Sequence, residues 1–379
     1  MERKVMLGAA AVLIVAALVG AALWGSLTAG ELGGDKDDKG TETVTVTDMF
    51  GRNVTVPNKV DRVVCLNAAA LRFVVYIDAT SKVVGVEDVE KKTGATDISG
   101  RSYRAAHPEL ADLPSVGPMF GGDRELIAAA SPQVIFRTAS QASDLDDLQK
   151  ALGIPVVGLT SNVDLSTNIL SFYRQLRLVG EVMDQKDRAE ELIGSIEGIM
   201  KDLRERTSSM SNSEKPRVYI GGVSASGSHG IDFTSSKYPP FDFTGSINVV
   251  TPAMMNNKTV GQINMEVLPV LDPEIMFIDW GGYALIQQDY VKFKNTLDRV
   301  EAIRDGQTYG VLQYNWYATN WESLLANCYY VGKVLYPSAF SDIDPEQKAD
   351  EIYTQWVGKA IYQQVVENSG GGFQQVSIK

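Results

Sequence analysis

The chain has 379 residues, of which 44% are hydrophobic and 22% charged, a composition typical of a globular protein long enough for two domains. Its formal net charge of −12 argues against a nucleic-acid partner, because such binding depends largely on Lys and Arg neutralising phosphates. Two His and two Cys residues are too few for a His-rich metal site or a disulfide-based fold. Cys65 and Cys328 are predicted to be buried free thiols rather than one bridge.

An apolar run occupies residues 5–25, with basic residues before it and a polar tract after it. About 20 residues rising roughly 1.5 Å each match a hydrocarbon core of about 30 Å, and the flanking positive charge favours a cytoplasmic N-terminus. We interpret 1–25 as a membrane anchor and 26–42 as a polar linker, which places the remainder on the extracytoplasmic face of the membrane. A cleaved signal peptide, giving a secreted or periplasmic protein, is the alternative, since 27–29 offers small residues.

Short runs of β-forming residues dominate the next part of the chain. Alternating β-formers over 43–57, interrupted at 50–53, predict a hairpin. Four later runs are continuous and rich in Val, which is typical of strands buried on both faces of a parallel sheet, and helical stretches lie between them. These runs are 62–66, 82–86, 133–136 and 155–159. The sequence therefore predicts an N-terminal α/β lobe over 43–164.

Helical patterns replace the strand runs after Thr160. Two stretches follow, the second with a single apolar stripe from Ala189 to Leu203, so 165–207 is predicted to be a long helical segment. Buried strand runs then resume at 217–222, 247–250, 274–280 and 309–314, and two C-terminal stretches have helical patterns, the last with a predicted cap near Asp344. The chain is thus predicted to have a second α/β lobe with terminal helices over 208–379.

The two halves share a sequence motif. GDRELIAAASPQVIF (122–136) and NMEVLPVLDPEIMFI (264–278) each place a Glu at the start of an apolar helix, then Ser-Pro or Asp-Pro, then a buried strand. Together with TDMFGRNVTVP, RVVCLN and LGIPVV, this ordered set resembles the substrate-binding proteins of ABC importers for iron-siderophores, haem and cobalamin, the class III periplasmic binding proteins. The resemblance extends over nearly all of 43–365.

This resemblance implies a fold class and a function. The fold is α/β, with two Rossmann-like lobes joined by a long helical segment and, here, preceded by a transmembrane or signal helix. The function is capture of a metal chelate, such as a ferric siderophore, in the cleft between the lobes. The protein, as a monomer, then delivers the chelate to an ABC permease and its ATPase. Cobalamin and haem remain open as ligands, because contacts to such molecules have no fixed spacing.

The resemblance also implies a docking surface. Members of the family use one exposed Glu on each lobe to engage Arg residues of the permease, and the shared motif places these at Glu125 and Glu266. A carboxylate in the first turn of a helix is favoured by the helix dipole, and complementary charge steers association of two surfaces. A helix-terminal Glu without a partner is the alternative.

Ligand-contacting residues are expected in loops after the carboxyl ends of the strands. Trp and Tyr present large flat faces that suit a chelator or macrocycle, and Arg donates in a planar fork that suits an anionic chelate. Core packing of the aromatic residues and ion pairs of Arg with neighbouring acids are the alternatives. No metal is expected to bind the protein directly, and no cofactor covalently. The candidates are Asn67, Arg72, Met119, Phe120, Arg137, His229, Tyr238, Trp280, Tyr283, Tyr314, Trp316 and Tyr317.

The segment 221–250 is unusually rich in Gly and Ser and contains two consecutive prolines after Tyr238, which excludes a long helix or strand. We interpret it as a loop facing the cleft, because irregular segments of this length are usually functional or mobile. It would bring His229 and Tyr238 to the ligand. A surface His without a binding role is the alternative.

An enzyme and an adhesive or structural surface protein are the alternatives from other classes. No P-loop, G-x-S-x-G or H-E-x-x-H motif is present, and two distant Cys residues are too few to hold a metal cluster, so the chain is predicted not to be an enzyme. An adhesive or structural surface protein would suit the anchor equally well. It would have no closed cleft and no ligand.

Overall fold

Two β-sheets with parallel strands organise the computed structural model, which describes residues 42–161 and 163–379. The segment interpreted as an anchor or signal peptide, and the linker up to residue 41, lie outside the described residues. Within the described ranges, no helix has both the length and the apolar character needed to cross a lipid bilayer.

The strands of the described part are short. They are β1 (Thr43–Thr47), β2 (Asn53–Pro57), β3 (Val63–Leu66), β4 (Val83–Gly85), β5 (Val134–Thr138), β6 (Val156–Leu159), β7 (Arg217–Gly221), β8 (Phe233–Ser235), β9 (Ile247–Asn248), β10 (Val260–Gln262), β11 (Ile275–Asp279), β12 (Thr308–Val311) and β13 (Gln374–Gln375).

The α-helices of the same part vary from one turn to six. They are α1 (Ala70–Tyr76), α2 (Ala95–Ile98), α3 (Ser102–Ala106), α4 (Arg124–Ala129), α5 (Ala142–Leu152), α6 (Ile169–Val182), α7 (Lys186–Thr207), α8 (Pro239–Thr244), α9 (Leu268–Leu271), α10 (Tyr283–Lys292), α11 (Lys294–Leu297), α12 (Glu301–Arg304), α13 (Trp321–Leu335), α14 (Pro345–Val357) and α15 (Tyr362–Ser369).

The first sheet has the strand order β4-β3-β5-β6, and all of its strands are parallel. Every residue of β3 and β6 is buried, which explains why these strands contain only Val, Leu, Cys and Gly. The hairpin of β1 and β2 precedes this sheet, with Thr43 opposite Pro57. The predicted hairpin and the parallel sheet are both confirmed.

The second sheet has the order β13-β12-β11-β7-β9. Its β9, β7, β11 and β12 are parallel, whereas β13 pairs antiparallel with β12 at the edge. The strand predicted over 309–314 ends at Val311, because the chain then turns into a loop held by other parts of the protein. The two-residue β13 carries no apolar pattern, and only its pairing with β12 defines it.

The segment between the sheets consists of two helices rather than one continuous rod. Asp184 has a φ of 56° in the turn that separates α6 from α7, and the two helices pack against each other. The 22 residues of α7 rise about 33 Å, and the stripe from Ala189 to Leu203 is buried. This stripe packs into the main core, so α7 connects the two sheets along the chain and also covers apolar surface.

The main hydrophobic core extends through both halves of the protein, and the described residues form one compact unit. Aromatic residues make the connection: the ring centroids of Phe73 and Trp321 are 5.3 Å apart, and those of Phe172 and Trp321 are 4.8 Å apart. Because α1 and α6 carry the two Phe residues and α13 carries Trp321, the halves are packed on each other and not merely tethered.

The C-terminal helices position one wall of the site described below. Asp344 caps α14 as predicted, since its carboxylate accepts hydrogen bonds from the N–H groups of Glu346 and Gln347 at 3.0 and 3.2 Å. The predicted single stretch is divided at Gly358, whose φ is 77°. The chain therefore turns there, and α15 runs in a new direction before the chain joins the second sheet through β13.

Candidate ligand-binding site

A cavity of about 850 Å³ lies where loops after the strands of the two sheets meet, and we call it the cleft cavity. Ala68 follows β3, Ser224 follows β7, Trp280 follows β11 and Asn315 follows β12. This is the carboxyl-end location expected for ligands of open α/β sheets. Its lining comprises Ala68, Thr96, Ser99, Met119, Phe120, Ser224, Ala225, Ser226, Gly227, Ser228, Trp280, Gly281, Gln313, Asn315, Trp316, Tyr317, Ala318, Glu367, Asn368, Ser369 and Gly370.

Aromatic side chains from both halves line this cavity. The rings of Phe120 and Tyr317 are 5.6 Å apart, and those of Trp316 and Tyr317 are 6.4 Å apart. Trp280 lies on another part of the lining, with its ring 4.7 Å from that of Tyr283. Five of the predicted ligand residues therefore meet here: Met119, Phe120, Trp280, Trp316 and Tyr317.

The loop that carries Trp316 and Tyr317 is held by Arg72 from the other half. The Arg72 side chain is fully buried, and its Nη2 donates to the carbonyl oxygens of Trp316 and Tyr317 at 3.2 and 3.1 Å. Its Nε donates to Oδ1 of Asn320 at 3.1 Å. The sequence predicted that Arg72 pairs with an anionic ligand. In the structure its guanidinium instead binds carbonyl oxygens of the protein.

Two further contacts hold the same loop against the first half. The Tyr317 hydroxyl donates to the buried carboxylate of Glu87, which also accepts from the N–H of Gly121 at 2.9 Å. Burial raises the pKa of Glu87, although these hydrogen bonds act in the opposite direction. The Arg101 guanidinium lies 4.4 Å from the centroid of the Trp316 ring. These contacts stabilise the positive φ of 51° at Tyr317.

A polar network lies beside the aromatic rings. The N–H groups of Ser224 and Gly281 donate to the Asp279 carboxylate at 3.2 and 2.9 Å. The Ser99 hydroxyl donates to the Gln313 side chain at 2.7 Å, which connects the two halves across the cavity. Burial raises the pKa of Asp279 to about 7 despite the two backbone hydrogen bonds.

The raised pKa of Asp279 predicts a pH-dependent stability. The unfolded chain releases this proton near pH 4, whereas the folded protein keeps it to about pH 7, so the folded state binds more protons between these values. The free energy of unfolding is therefore expected to fall as pH rises through this window, by up to about 1.4 kcal/mol per pH unit from this group. Urea titrations of the wild type and Asp279→Asn measure it. In Asp279→Asn the free energy of unfolding should depend less steeply on pH between about 4 and 7. The same pH dependence in the variant and the wild type would contradict the raised pKa of Asp279.

The C-terminal segment forms a wall of the cavity that the sequence analysis did not identify. Nε1 of Trp280 donates to the carbonyl oxygen of Gly372 at 2.8 Å, and a Cβ on Gly371 would overlap the indole ring. Glu367 to Gly370, at the end of α15, thereby border the cavity. The run of three glycines after Ser369 was the available signal, because glycine allows this close approach. Gln313 was also missed, since it lies in a predicted strand.

Several predicted ligand residues have protein partners and do not line the cavity. The Asn67 side chain donates to the carbonyl oxygen of Thr138 at 2.6 Å. Nη1 of Arg137 donates to the carbonyl oxygen of Asp144 at 3.0 Å. The Tyr283 hydroxyl donates to the carbonyl oxygen of Ser377 at 2.8 Å. Each side chain is therefore turned toward the protein.

Most of the segment 221–250 folds away from the cleft cavity. Tyr238 is fully buried, with its ring 4.9 Å from that of Phe241 and 5.7 Å from that of Tyr314. His229 stacks on Phe233 with ring centroids 3.7 Å apart, and neither residue lines the cavity. Tyr314 lines a separate cavity of about 140 Å³. Ser224 to Ser228 are the part of the segment that borders the cleft cavity, because the two prolines start α8 and direct Tyr238 into the core.

The two predicted docking residues occupy equivalent positions in the two halves. Glu125 lies in the first turn of α4, where Asp123 caps the helix by accepting from the Glu125 N–H at 2.9 Å. Glu266 lies in the 3₁₀ turn before α9, where Asn264 accepts from the Glu266 N–H at 3.0 Å. Both Glu side chains are exposed, and Thr296 donates to Glu266 at 3.2 Å. The shared motif therefore gives an exposed Glu in a side-chain-capped helical turn in both halves.

Neither cysteine nor clustered acids provide a metal site in the described ranges. Cys65 and Cys328 are free and buried. Burial raises the pKa of both thiols, so they are held in the neutral form. No group of three or more His, Cys, Asp or Glu residues in the described part of the chain is arranged to hold a metal ion.

The fold of this chain is similar to solved structures of periplasmic binding proteins. The molybdate-binding protein MolA of Haemophilus influenzae is 24% identical in sequence, over 81% of this chain and 89% of its own length. The molybdate-bound structure of MolA superposes with a TM-score of 0.64 and 21% identity, over 84% of this chain and 98% of that one. A periplasmic solute binding protein of Veillonella parvula superposes with a TM-score of 0.67 and 20% identity, over 86% and 96% of the two chains. The TroA-like periplasmic binding protein FepB of the same species gives 0.57 and 21%, over 84% and 97%.

The sequence also matches a family model. The periplasmic binding protein model covers residues 63–313, which is more than half of the chain and includes both sheets except the edge strand β13. Members of this family are substrate-binding proteins of transport systems, not enzymes. This chain therefore belongs to the periplasmic binding protein family, as the motifs shared by its two halves predicted.

Proposed function

We propose that the protein is the extracytoplasmic substrate-binding component of an ABC importer and that it captures an iron chelate of the siderophore class in the cleft cavity. The observation that carries this proposal is a cavity of about 850 Å³ with several aromatic rings in its lining. Ligand cavities of about 300–1,000 Å³ hold organic molecules, whereas a hydrated ion or a tetrahedral oxyanion would leave most of this volume to water.

The lining has the two kinds of groups that an organic chelate needs. The flat rings of Trp316 and Tyr317 in the lining suit the apolar frame of a chelate. The hydroxyls and amides of Ser224, Gln313 and nearby polar residues suit its carbonyl and amide groups. An iron already wrapped by its chelator needs no ligand from the protein.

The way the loop at 314–320 is held favours a largely preformed cavity. Arg72 and Glu87 of one half bind this loop of the other half, and the main core is continuous between the halves. Ligand entry is therefore expected to need small rotations only. Scattering curves with and without ligand test this, and a large change in radius of gyration would contradict it.

Delivery would follow from the two exposed Glu residues. Glu125 and Glu266 occupy equivalent helix starts in the two halves, so a permease with two basic patches would engage both at once. The membrane anchor or signal peptide at 1–25 would place the protein outside the cytoplasm. A tetrahedral oxyanion is the second candidate ligand, because MolA is a molybdate-binding protein.

Removing one aromatic ring is expected to weaken chelate binding strongly. Truncation of a central aromatic anchor typically costs about 2 kcal/mol or more, so Trp316→Ala should lower the affinity for a ferric trihydroxamate about thirtyfold. Isothermal titration of the full-length protein measures this. Phe293→Ala is the matched control, since it removes a ring outside the cleft cavity and should leave the affinity unchanged.

The same titration tests the function itself. Ferric chelates, haem, cobalamin and molybdate form the panel, and the fluorescence of Trp280 and Trp316 should be quenched by the bound chelate. Binding of molybdate alone would favour the second candidate. A flat response to the whole panel would favour an adhesive or structural protein.

A further inference from the structure

The charges around the cleft cavity indicate which chelates it accepts. We propose that the cavity selects ferric chelates that are neutral or positively charged and excludes anionic chelates and oxyanions. This inference rests on the proposed function, because it concerns the ligand of the same cavity.

The lining has one charged side chain, and it is negative. Glu367 lies in the last turn of α15, and its side chain is exposed. All residues of the lining belong to the described part of the chain, and the set contains no Lys, Arg or His. An anionic ligand would therefore meet a like charge without a compensating cation.

The end of α15 adds partial negative charge at the same wall. Gly370 is the C-terminal cap of this helix, with a φ of 84°, and both Ser369 and Gly370 line the cavity. The last carbonyl groups of a helix have no partners within the helix, and the helix dipole places its negative end there. A cation or a hydrogen-bond donor on the ligand is favoured at this position.

The aromatic residues of the lining also favour a positively charged ligand over an anionic one. The face of an aromatic ring carries the negative side of its quadrupole, and Trp316 and Tyr317 line the cavity, although Arg101 already lies over one face of Trp316. A positively charged group placed over such a face is attracted, whereas a carboxylate or a phenolate is not. Three features of the wall thus favour the same ligand charge.

The arginines near the cavity each bind at least one protein oxygen, although Nη1 of Arg72 and Nε of Arg137 are buried without a partner among the described residues. Nη1 of Arg101, whose guanidinium lies over Trp316, is 2.8 Å from Oε2 of Glu90. Arg72 is fully buried and donates to loop carbonyls, and Arg137 donates to the carbonyl of Asp144. None of these guanidinium groups lines the cavity, so they offer no site for an anionic ligand.

The backbone N–H groups at the start of the helical turn at Trp280 are also occupied. Helix N-termini attract anions, and this edge of a sheet is where they bind. Here the Gly281 and Ser224 N–H groups both donate to Asp279, an acid of the protein itself. An incoming oxyanion would have to replace that buried carboxyl group.

Three ligands that share one iron-binding core but differ in net charge test the proposal. Ferrioxamine B, its N-acetyl derivative and its N-succinyl derivative give cationic, neutral and anionic ferric complexes with the same trihydroxamate core. Isothermal titration of the full-length protein in detergent should show the cationic and neutral complexes binding at least about tenfold more tightly than the anionic one. Molybdate should not compete with them.

The possible outcomes separate the two proposals. Binding of none of the three complexes would overturn the proposed function and the charge selection with it. Equal binding of all three, or tightest binding of the anionic complex, would leave the proposed function standing and overturn the charge selection.

Substitution of Glu367 provides the matched test within the protein. Glu367→Lys should shift the ratio of anionic to cationic affinity about tenfold or more toward the anionic complex, and Glu367→Gln about threefold, since an exposed charge is partly screened. Asp147→Lys is the control, because Asp147 is an exposed acid on α5 outside the lining. A ratio that does not change in Glu367→Lys, or that changes equally in the control, would overturn the proposal.

Discussion

Replacing Arg72 by Met is expected to lower the free energy of unfolding by about 3–5 kcal/mol, the usual cost of removing one member of a buried charge network. The guanidinium is fully buried and donates to the carbonyls of Trp316 and Tyr317 and to Asn320. Its charge also opposes the rise that burial causes in the pKa of the buried Glu322. The variant leaves that acid without this cation and leaves the loop carbonyls without donors. Denaturant titration of the full-length protein measures the change.

The matched substitution is Arg137→Met. Arg137 is half-buried and its Nη1 donates to one carbonyl oxygen, so its removal should lower the free energy of unfolding by about 1 kcal/mol. Measuring chelate affinity as well as stability distinguishes a structural role of Arg72 from direct contact with the ligand. A large loss of chelate affinity in Arg72→Met with unchanged stability would return Arg72 to the ligand-binding role expected from the sequence.

The case of Arg72 shows where sequence reasoning reaches its limit. Its position after a strand predicts that it lies near the carboxyl edge of the sheet, and that is where the structure places it. Whether the guanidinium faces the ligand or the protein depends on the loop at 314–320, which is some 240 residues away in the chain. Local pattern contains no information about that contact.

The reverse holds where local pattern decides the structure. The motif at 122–136 and 264–278 predicted a helix start, a short helix and a buried strand in both halves, and capping by Asp123 and Asn264 fixes each start. The buried strands were predicted from runs of apolar residues, because strands covered on both faces need such runs. The location of the cleft cavity follows from the direction of those strands.

The residues that were missed share a long-range cause. Glu367 to Gly370 border the cavity because β13 pairs with β12 and so draws the C-terminal segment onto the second sheet. Two glutamines form that strand, and no periodicity marks them. Tyr238 shows the opposite error: its Gly- and Ser-rich surroundings predicted a loop that brings the ring to the ligand, yet the two prolines after it begin a helix and the ring is buried in the core.

Reversing the charge of both docking residues is expected to abolish uptake while ligand binding is retained. Glu125 and Glu266 are exposed at equivalent helix starts, so each would face a basic group of the permease. In a Glu125→Arg, Glu266→Arg double variant, two attractive pairs become repulsive. Like-charge contacts across an interface cost several kcal/mol, which corresponds to a loss of uptake on the order of 100-fold or more. Uptake of a labelled ferric chelate by vesicles that contain the permease measures this.

The fold should tolerate these substitutions. A cation at a helix start costs about 0.3–1 kcal/mol at an exposed position, which is small against the stability of a protein of this size. The Asp147→Arg, Glu205→Arg variant is the control, because it reverses two exposed acids on α5 and α7 and makes the same change in net charge. If chelate affinity is unchanged in both double variants and only the first loses uptake, the two helix starts are the docking surface. Wild-type uptake by the first variant would mean that the permease recognises another part of the protein.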